Sequence, residues 1–146
     1  MKADKLDARR QRCHKVNALL MVIASCGRKF FQSRAGRFAR MEVDDRGRIW
    51  FVSEWKGERV YTHRSGSWRR FHHGGTLKWL VEAFRDFIMT GERINPFHFG
   101  PWREDYCGGD LWGYKDAMED IRRTARVLGI TPTIEEWREM KRQKTA

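Results

Sequence analysis

The sequence has no run of apolar residues that approaches the roughly 18 residues needed to cross a bilayer. Its longest such run, Ala18–Ala24, is short enough to be a buried stretch of helix. The N-terminal residues also lack the pattern of a signal peptide, because Asp4 and Asp7 interrupt the basic stretch and no small-residue cleavage site follows an apolar region. These absences predict a protein that stays in the cytoplasm and has no membrane partner.

Cysteine is scarce, and its pattern excludes two classes of protein. Cys13, Cys26 and Cys107 are odd in number and far apart, which fits a reducing compartment and argues against a disulfide framework. No C-x-x-C pair or H-x₃₋₅-H pair occurs, so the sequence predicts no metal site. We likewise expect no cofactor.

Recognisable catalytic motifs are missing as well. The phosphate-loop and dinucleotide-binding patterns are absent, and no nucleophile with its base can be identified. Glu104, Asp105 and Asp110 could act as acids or bases or hold a divalent ion, but their spacing does not require it. Asp110 is better interpreted as a turn residue before Trp112. The sequence therefore predicts a protein that is not an enzyme.

Acidic residues are outnumbered, with 19 Asp and Glu against 30 Lys and Arg and a formal net charge of +11. The excess is confined to residues 1–73, because residues 74–146 contain twelve charges of each sign. A basic half beside a neutral half attracts polyanions or acidic protein surfaces. The alternative is a lopsided charge that serves only solubility.

Aromatic residues, in contrast, are plentiful. Seven Trp and nine Phe compensate for an apolar fraction of only 40%. A chain of 146 residues is long enough to bury a real core, and this composition excludes disorder for the body of the chain.

Hydrophobic periodicity predicts a helix over residues 4–26, with Gly27 as its left-handed C-cap. Four segments rich in aromatic and β-branched residues follow, separated by glycine-containing turns: Arg28–Gln32, Arg37–Asp44, Arg48–Glu54 and Arg59–His63. Within the second segment, alternation places Ala39, Met41 and Val43 on one buried face. The third segment is apolar on both faces over Ile49–Val52, which predicts a central strand covered on both sides.

The second half of the chain reads as helical. Thr76 is the expected N-cap of a helix that Gly91 ends. An aromatic loop over residues 92–114 leads to a third helix at about 115–128, and a capping box formed by Thr133 and Glu136 opens the last helix. Residues 141–146 are expected to fray.

No internal repeat and no linker divides the chain, so we predict one α+β domain over residues 1–146. It consists of an antiparallel β-meander of three to four strands flanked by an N-terminal helix and three C-terminal helices. The basic helix and sheet occupy residues 1–73, and the neutral helical part occupies residues 74–146.

Three places in the sequence are candidates for binding nucleic acid or an acidic partner, and a fourth is a candidate for anchoring a protein partner. In the first, glycines at a helix start leave backbone N–H groups open to an anion. Its alternative is a tight turn that needs glycine for its backbone angles, with Thr76 as a cap. That segment, with the charges before it, comprises Arg69, Arg70, His72, His73, Gly74, Gly75 and Thr76.

The second candidate is the sheet face opposite Ala39 and Met41, where aromatics and arginines alternate as they do in single-strand binders. Burial of this face under the C-terminal helices is the alternative. The face carries Phe38 and Glu42, and its binding candidates are Arg40, Arg48, Trp50, Arg59 and Tyr61.

The remaining candidates lie in the N-terminal helix and in the aromatic loop. The basic first half of the N-terminal helix could follow a phosphate backbone, or could simply be a solvated helix face; it contributes Arg9, Arg10, Arg12 and Lys15. The aromatic loop either packs on itself or supplies anchors for a protein partner, namely Phe97, Phe99, Trp102 and Trp112.

Three strings resemble small accessory proteins encoded by bacteriophages and prophages: Gly47–Val52, His73–Leu77 with Phe87–Gly91, and Cys107–Tyr114. The resemblance covers roughly residues 27–130 and carries no catalytic or binding residues with it. It implies an expendable phage protein made in the cytoplasm of a bacterial host cell. Such proteins commonly bind nucleic acid, or bind and disable a host defence or DNA-processing machine, and the resemblance implies one of these roles.

Two functions from different classes follow. The first is a nucleic-acid-binding accessory protein that uses the basic N-terminal half. The second is a counter-defence, anti-CRISPR-like inhibitor that docks on an acidic surface of a host nucleic-acid-processing or immune complex. DNA and RNA are not distinguished by the sequence, and neither are the possible oligomeric states.

Overall fold

The computed structural model describes residues 1–26 and 29–145, which form four α-helices and one three-stranded antiparallel sheet. The helices are α1 (Ala3–Ala24), α2 (Gly75–Thr90), α3 (Met118–Val127) and α4 (Ile134–Thr145), and the strands are β1 (Arg40–Val43), β2 (Ile49–Val52) and β3 (Arg59–Tyr61). Short 3₁₀ turns lie at Pro96–Phe99, Cys107–Gly109 and Lys115–Ala117. The predicted α+β architecture is confirmed, with one helix before the sheet and three after it.

The sheet runs in the order β1-β2-β3, so the prediction that the Ile49–Val52 strand is central is confirmed. Its inner face is buried, and Met41, Phe51 and Val60 lie side by side there. Its outer face carries two cross-strand rows, Glu42–Trp50–Tyr61 and Arg40–Val52–Arg59. The expectation that β2 is covered on both sides is wrong, because Trp50 is only half-buried and Arg40 and Arg59 are exposed.

The first predicted strand, Arg28–Gln32, does not form as a strand. Lys29 and Phe31 both have positive φ, at 55° and 67°, which bends the chain away from an extended conformation. Only an isolated bridge between Gln32 and Phe38 remains. The side chain of Phe31 enters the core instead, with its ring 5.7 Å from that of Phe51. Gly27, the predicted C-cap of α1, lies outside the described residues, and α1 ends at Ala24.

Helix α1 packs on the inner face of the sheet through its predicted apolar positions, which are Val16, Leu19, Leu20 and Ile23. It also satisfies the free edge of β1. The Asn17 side chain accepts from the Met41 N–H at 2.7 Å and donates to the Met41 carbonyl at 3.0 Å. An edge strand exposes unpaired backbone groups that invite wrong pairing, so this amide closes the edge at its centre.

Helix α2 buries the whole predicted stripe, Leu77, Leu80, Val81, Phe84, Phe87 and Ile88. Gly91 ends it in the left-handed conformation at φ 77°, as predicted. Its start differs from the prediction. The N-cap is Gly74, no side chain caps the helix, and Thr76 is the second residue inside it. Thr76 therefore does not act as the N-cap.

The last two helices have the predicted ends. Gly129 closes α3 with a Schellman pair of hydrogen bonds, from its own N–H to Arg126 and from Ile130 to Ala125. Thr133 and Glu136 form the reciprocal capping box of α4, at 3.3 and 3.1 Å. α4 continues to Thr145, so fraying of the predicted tail stays a prediction.

The 92–114 segment is packed by its own aromatic side chains, as one interpretation of the sequence expected. Phe99, Trp112 and Tyr114 are buried and belong to the same core as α1, α2, α3 and the inner face of the sheet. Asp110 does serve a turn, but this turn includes Trp112 and does not precede it. Its two carboxylate oxygens accept from the N–H groups of Tyr114 and Lys115.

Candidate nucleic-acid interface

The open outer face of the sheet and the chain that follows β3 enclose a groove of about 510 Å³, which we call the outer groove. Strands β2 and β3 form its floor, and the 62–74 segment forms one wall. Five of its seven lining side chains are arginines and the other two are aromatic: Arg48, Trp50, Arg59, Tyr61, Arg64, Arg69 and Arg70.

Asp44, in the turn after β1, holds one end of the groove in place. Its carboxylate accepts from Trp50 Nε1 at 3.0 Å, from Arg48 Nε at 2.8 Å, and from the backbone N–H groups of Arg46 and Arg48. Burial by itself would raise the pKa of Asp44, but these hydrogen bonds outweigh it and lower the pKa to about 2. The indole of Trp50 is therefore fixed by a carboxylate that stays ionised at neutral pH.

Trp50 is the centre of the aromatic part. The ring of Tyr61 lies 5.0 Å from it at an angle of 55°, and the guanidinium of Arg59 lies over it, 4.4 Å from its centroid. Glu42 holds Arg59 from the side, 3.4 Å from its Nε, and also pairs with Arg40 at 2.8 Å. Together with Arg48, which pairs with Asp44, all three outer-face arginines therefore have an acidic partner.

Trp68 positions the wall. It is buried, its Nε1 donates to the carbonyl of Arg64 at 2.8 Å, and the ammonium of Lys78 lies 4.6 Å from its ring. This anchor leaves Arg64, Arg69 and Arg70 exposed on the groove side. Within residues 1–26 and 29–145, none of these three forms an ion pair.

The backbone at Arg70 is strained. Its φ is +70°, a left-handed conformation that costs an L-residue other than glycine, asparagine or aspartate about 1 kcal/mol. The conformation turns the chain between Arg69 and Phe71. Phe71 can then pack against Phe51, with the ring centroids 5.3 Å apart, while both arginines stay at the surface.

The outer groove thus combines a fixed aromatic floor with a wall of arginines that lack acidic partners. Aromatic rings stack on nucleic-acid bases, and arginines bind phosphates in a bidentate manner. Within the described part of the chain, no three or more His, Cys, Asp or Glu side chains are grouped as they would be to hold a metal ion. The chemistry on offer is recognition of an anion that carries planar groups.

The His72–Thr76 segment contributes less to the groove than the sequence indicated. His73 points inwards, where it contacts the buried carboxylate of Glu54 and its ring lies 5.0 Å from that of Phe31. Gly74 has φ −70°, and a Cβ atom added to Gly74 or Gly75 would meet no atom within 4 Å. The interpretation that this turn requires glycine for its backbone angles is therefore wrong. His72 is exposed and lies 3.5 Å from Glu58.

The N-terminal helix lies on the other side of the sheet, and two of its predicted phosphate contacts are used inside the protein. Arg9 donates to the carbonyl of Gly47 at 2.7 Å, and Arg12 donates to the carbonyls of Ile88 and Met89 at the end of α2. Phosphate binding by α1 stays a prediction, although these two guanidinium groups already donate hydrogen bonds within the fold. Arg10 is exposed and pairs with Asp45, and Lys15 is exposed.

The predicted protein anchors of the aromatic loop divide in two. Phe99 and Trp112 are about 0% and 1% exposed, so their assignment as anchors is wrong: they are core residues. Phe97 and Trp102 are half-buried. The most exposed aromatic residues of the structure are elsewhere, at Trp55, Trp79 and Tyr106.

Arg64 and Asp44 are two of the site residues that the sequence analysis missed. Arg64 belongs to the wall, and the signal that could have found it is its place just before Trp68 in the arginine-rich stretch that ends at Arg70. Asp44 was placed at the end of a strand and given no role. A short acidic residue four positions before Arg48, in a glycine turn, is a signal for a carboxylate that accepts backbone N–H groups.

The fold and this groove define a class: a small α+β protein with a basic, aromatic groove on the open face of an antiparallel meander. The chain belongs to the YoqU family, whose family model matches residues 7–145. A relative in Bacillus subtilis (strain 168), the SPbeta prophage-derived uncharacterized protein YoqU, is 31% identical over 129 residues, or 86% of each chain. The resemblance to prophage-encoded proteins is thereby confirmed.

No solved structure matches the chain. In the described residues, no helix combines the length and the apolar character that a membrane span requires.

Proposed function

We propose that this protein is a non-enzymatic, phage-type accessory protein that binds single-stranded nucleic acid in the outer groove, in the cytoplasm of the bacterial host cell. The observation that carries the proposal is the joint presence of Trp50 and Tyr61 on the floor and of Arg64, Arg69 and Arg70, without ion pairs among the described residues, on the wall. This refines the expectation that the whole basic N-terminal half binds.

Two physical arguments favour a single strand over a duplex. The first is that stacking on the floor of the groove requires bases whose faces are free, and a duplex hides those faces in its own stack. The second is that the arginines form the wall of a recess. The phosphate backbone of a single strand can enter this recess and reach them. Phosphate contacts from three arginines supply the affinity, and stacking supplies the preference for unpaired bases.

The test is fluorescence anisotropy of labelled single- and double-stranded DNA and RNA at about 50 and about 200 mM salt. The wild-type protein is expected to bind single strands at sub-micromolar concentration and to weaken by one or more orders of magnitude across this range. Reversal of two wall charges, in Arg69→Glu/Arg70→Glu, is expected to abolish that binding.

A matched control is available at a cavity that shares no lining residue with the outer groove. Arg126 and Arg138 line a separate cavity of about 480 Å³ and, within the described residues, have no ion-pair partner. Arg126→Glu/Arg138→Glu changes the net charge equally, so it should retain most of the affinity. Equal losses in the two double variants would mean that general charge attraction, and not the groove, accounts for binding.

The second candidate function is that of an inhibitor docking on an acidic surface of a host protein complex. It is favoured by the exposure of Trp55 and Tyr106, which are 57% and 56% exposed in a chain rich in buried aromatic residues. It predicts no binding to any of the nucleic-acid probes. A host protein retained from bacterial lysate by the wild type, and lost with Arg69→Glu/Arg70→Glu, would support it.

A further inference from the structure

We propose that Arg59, held over Trp50, is the stacking platform for an unpaired base and does not act mainly as a phosphate contact. This inference rests on the proposed function of the outer groove and assigns a specific part of it. Of the five groove arginines, Arg59 lies nearest the Trp50 ring, 4.4 Å from its centroid, and Arg48 is next at 5.9 Å.

The position of Arg59 follows from the sheet register. Trp50 pairs with Tyr61 and Val52 pairs with Arg59, so Arg59 is a diagonal neighbour of Trp50 on the outer face. A long side chain reaches such a neighbour, and cation–π attraction holds the guanidinium there. Val52, which lies between Arg40 and Arg59 in the same row, is buried although it belongs to the outer face. The aliphatic stems of arginines cover such apolar positions.

Glu42 fixes the same guanidinium from the side. Its Oε2 lies 3.4 Å from Arg59 Nε, so part of the positive charge that a phosphate would seek is already compensated. The planar face of Arg59 can still stack on a base, because base stacking on a guanidinium group does not require an uncompensated charge. Arg64, Arg69 and Arg70 have no such partner among the described residues and are better placed to take the phosphates.

If Arg59 stacks on a base and the wall arginines bind phosphates, the site should distinguish a strand with bases from a strand without them. Stacking of one base is worth enough to change affinity by about tenfold, whereas phosphate contacts are the same in both strands. Arg59→Lys keeps the charge of the side chain and removes its planar face. Arg69→Lys makes the same chemical change on the wall, where a point charge still attracts phosphate.

The experiment compares two labelled single strands of equal length and equal phosphate number, one of thymidines and one fully abasic. The wild type is expected to bind the thymidine strand about tenfold more tightly. Arg59→Lys is expected to bind both strands within about twofold of each other, whereas Arg69→Lys keeps the wild-type preference. Circular dichroism melting of each variant verifies that the fold is intact.

The outcomes separate this inference from the proposed function. If the wild type binds neither strand, the proposed function fails. If it binds both strands equally, phosphate binding stands and the stacking platform is wrong. If Arg59→Lys keeps the preference for thymidines, a base stacks directly on Trp50 or Tyr61, and the role assigned to Arg59 is overturned.

Discussion

The arginines of α1 and those of the groove wall are the same residue type in two different settings. Arg9 and Arg12 direct their guanidinium groups at backbone carbonyls of other elements and tie the fold together. Arg64 and Arg69 are exposed and have no acidic partner in the described part of the chain. The first pair stabilises the protein, and the second is available to a ligand.

The comparison shows why a count of positive charges is a poor map of a binding surface. Four of the six basic residues among residues 1–27 were binding candidates in the sequence analysis. Two of these four, Arg9 and Arg12, donate hydrogen bonds within the fold. The two groups of arginines differ in the atoms that lie next to each guanidinium. The guanidinium of Arg12 lies next to the unpaired carbonyls at the end of α2 and is drawn to them, because those carbonyls carry the negative end of the helix dipole.

The largest expected effect that tests this comparison is on stability. Arg12→Ala removes two hydrogen bonds to the last carbonyls of α2, at 2.9 and 3.2 Å, and is expected to lower the free energy of unfolding by about 3 kcal/mol. Nucleic-acid affinity of the folded variant should be unchanged. Urea unfolding and anisotropy measure the two quantities.

Lys15→Ala is the matched control, since Lys15 lies on the same helix and is exposed. Its free energy of unfolding should stay within about 0.5 kcal/mol of wild type. A stable Arg12→Ala protein that has lost nucleic-acid binding would reverse the roles assigned to the two groups.

Asp44 belongs to both sides of this comparison, because it lies at the outer groove and also stabilises the fold. Its pKa of about 2 is below the ordinary value of 3.8, so its ionised form is favoured by folding. The stability that it contributes, about 2 kcal/mol, is complete above about pH 4 and is lost as the pH falls through about 2. Urea unfolding of wild type and Asp44→Asn between these pH values measures it.

The difference in unfolding free energy between these two proteins should shrink as the pH falls, since a protonated Asp44 is no longer a strong acceptor. Global acid effects are shared by both and cancel in the difference. A difference that stays constant down to about pH 2 would show that Asp44 is not the ionised anchor of Trp50 and Arg48.

Local signals explain why so much of the fold could be predicted from the sequence. The apolar stripe of α2, Gly91 after it, and the capping box of Thr133 and Glu136 each depend on residues within one or two turns of helix. The alternation of Met41 with Arg40 and Glu42 likewise gave the two faces of the sheet. The open outer face was one of two alternatives left by that pattern.

What could not be predicted depends on contacts between distant parts of the chain. Phe31 leaves a strand-like segment because its ring finds the core beside Phe51, and no local pattern records that preference. His73 was grouped with an anion site, but its partner is Glu54, nineteen positions earlier in the chain. The carbonyl groups that accept from Arg9 and Arg12 are also distant in the sequence, so they could not be predicted either.

The smallest expected effect concerns Arg70, where binding and stability are set against each other. Its φ of +70° suits glycine, so Arg70→Gly is expected to raise the free energy of unfolding by up to about 1 kcal/mol. The same change removes one phosphate contact, which should weaken binding and make it less steeply dependent on salt. Arg69→Gly is the control, because Arg69 does not have a positive φ and gains nothing from glycine. If Arg70→Gly is less stable than wild type, contacts of the Arg70 side chain hold the strained turn. If Arg70 is instead kept in this unfavourable conformation because it binds the ligand, the glycine variant should be more stable than wild type and should bind nucleic acid more weakly.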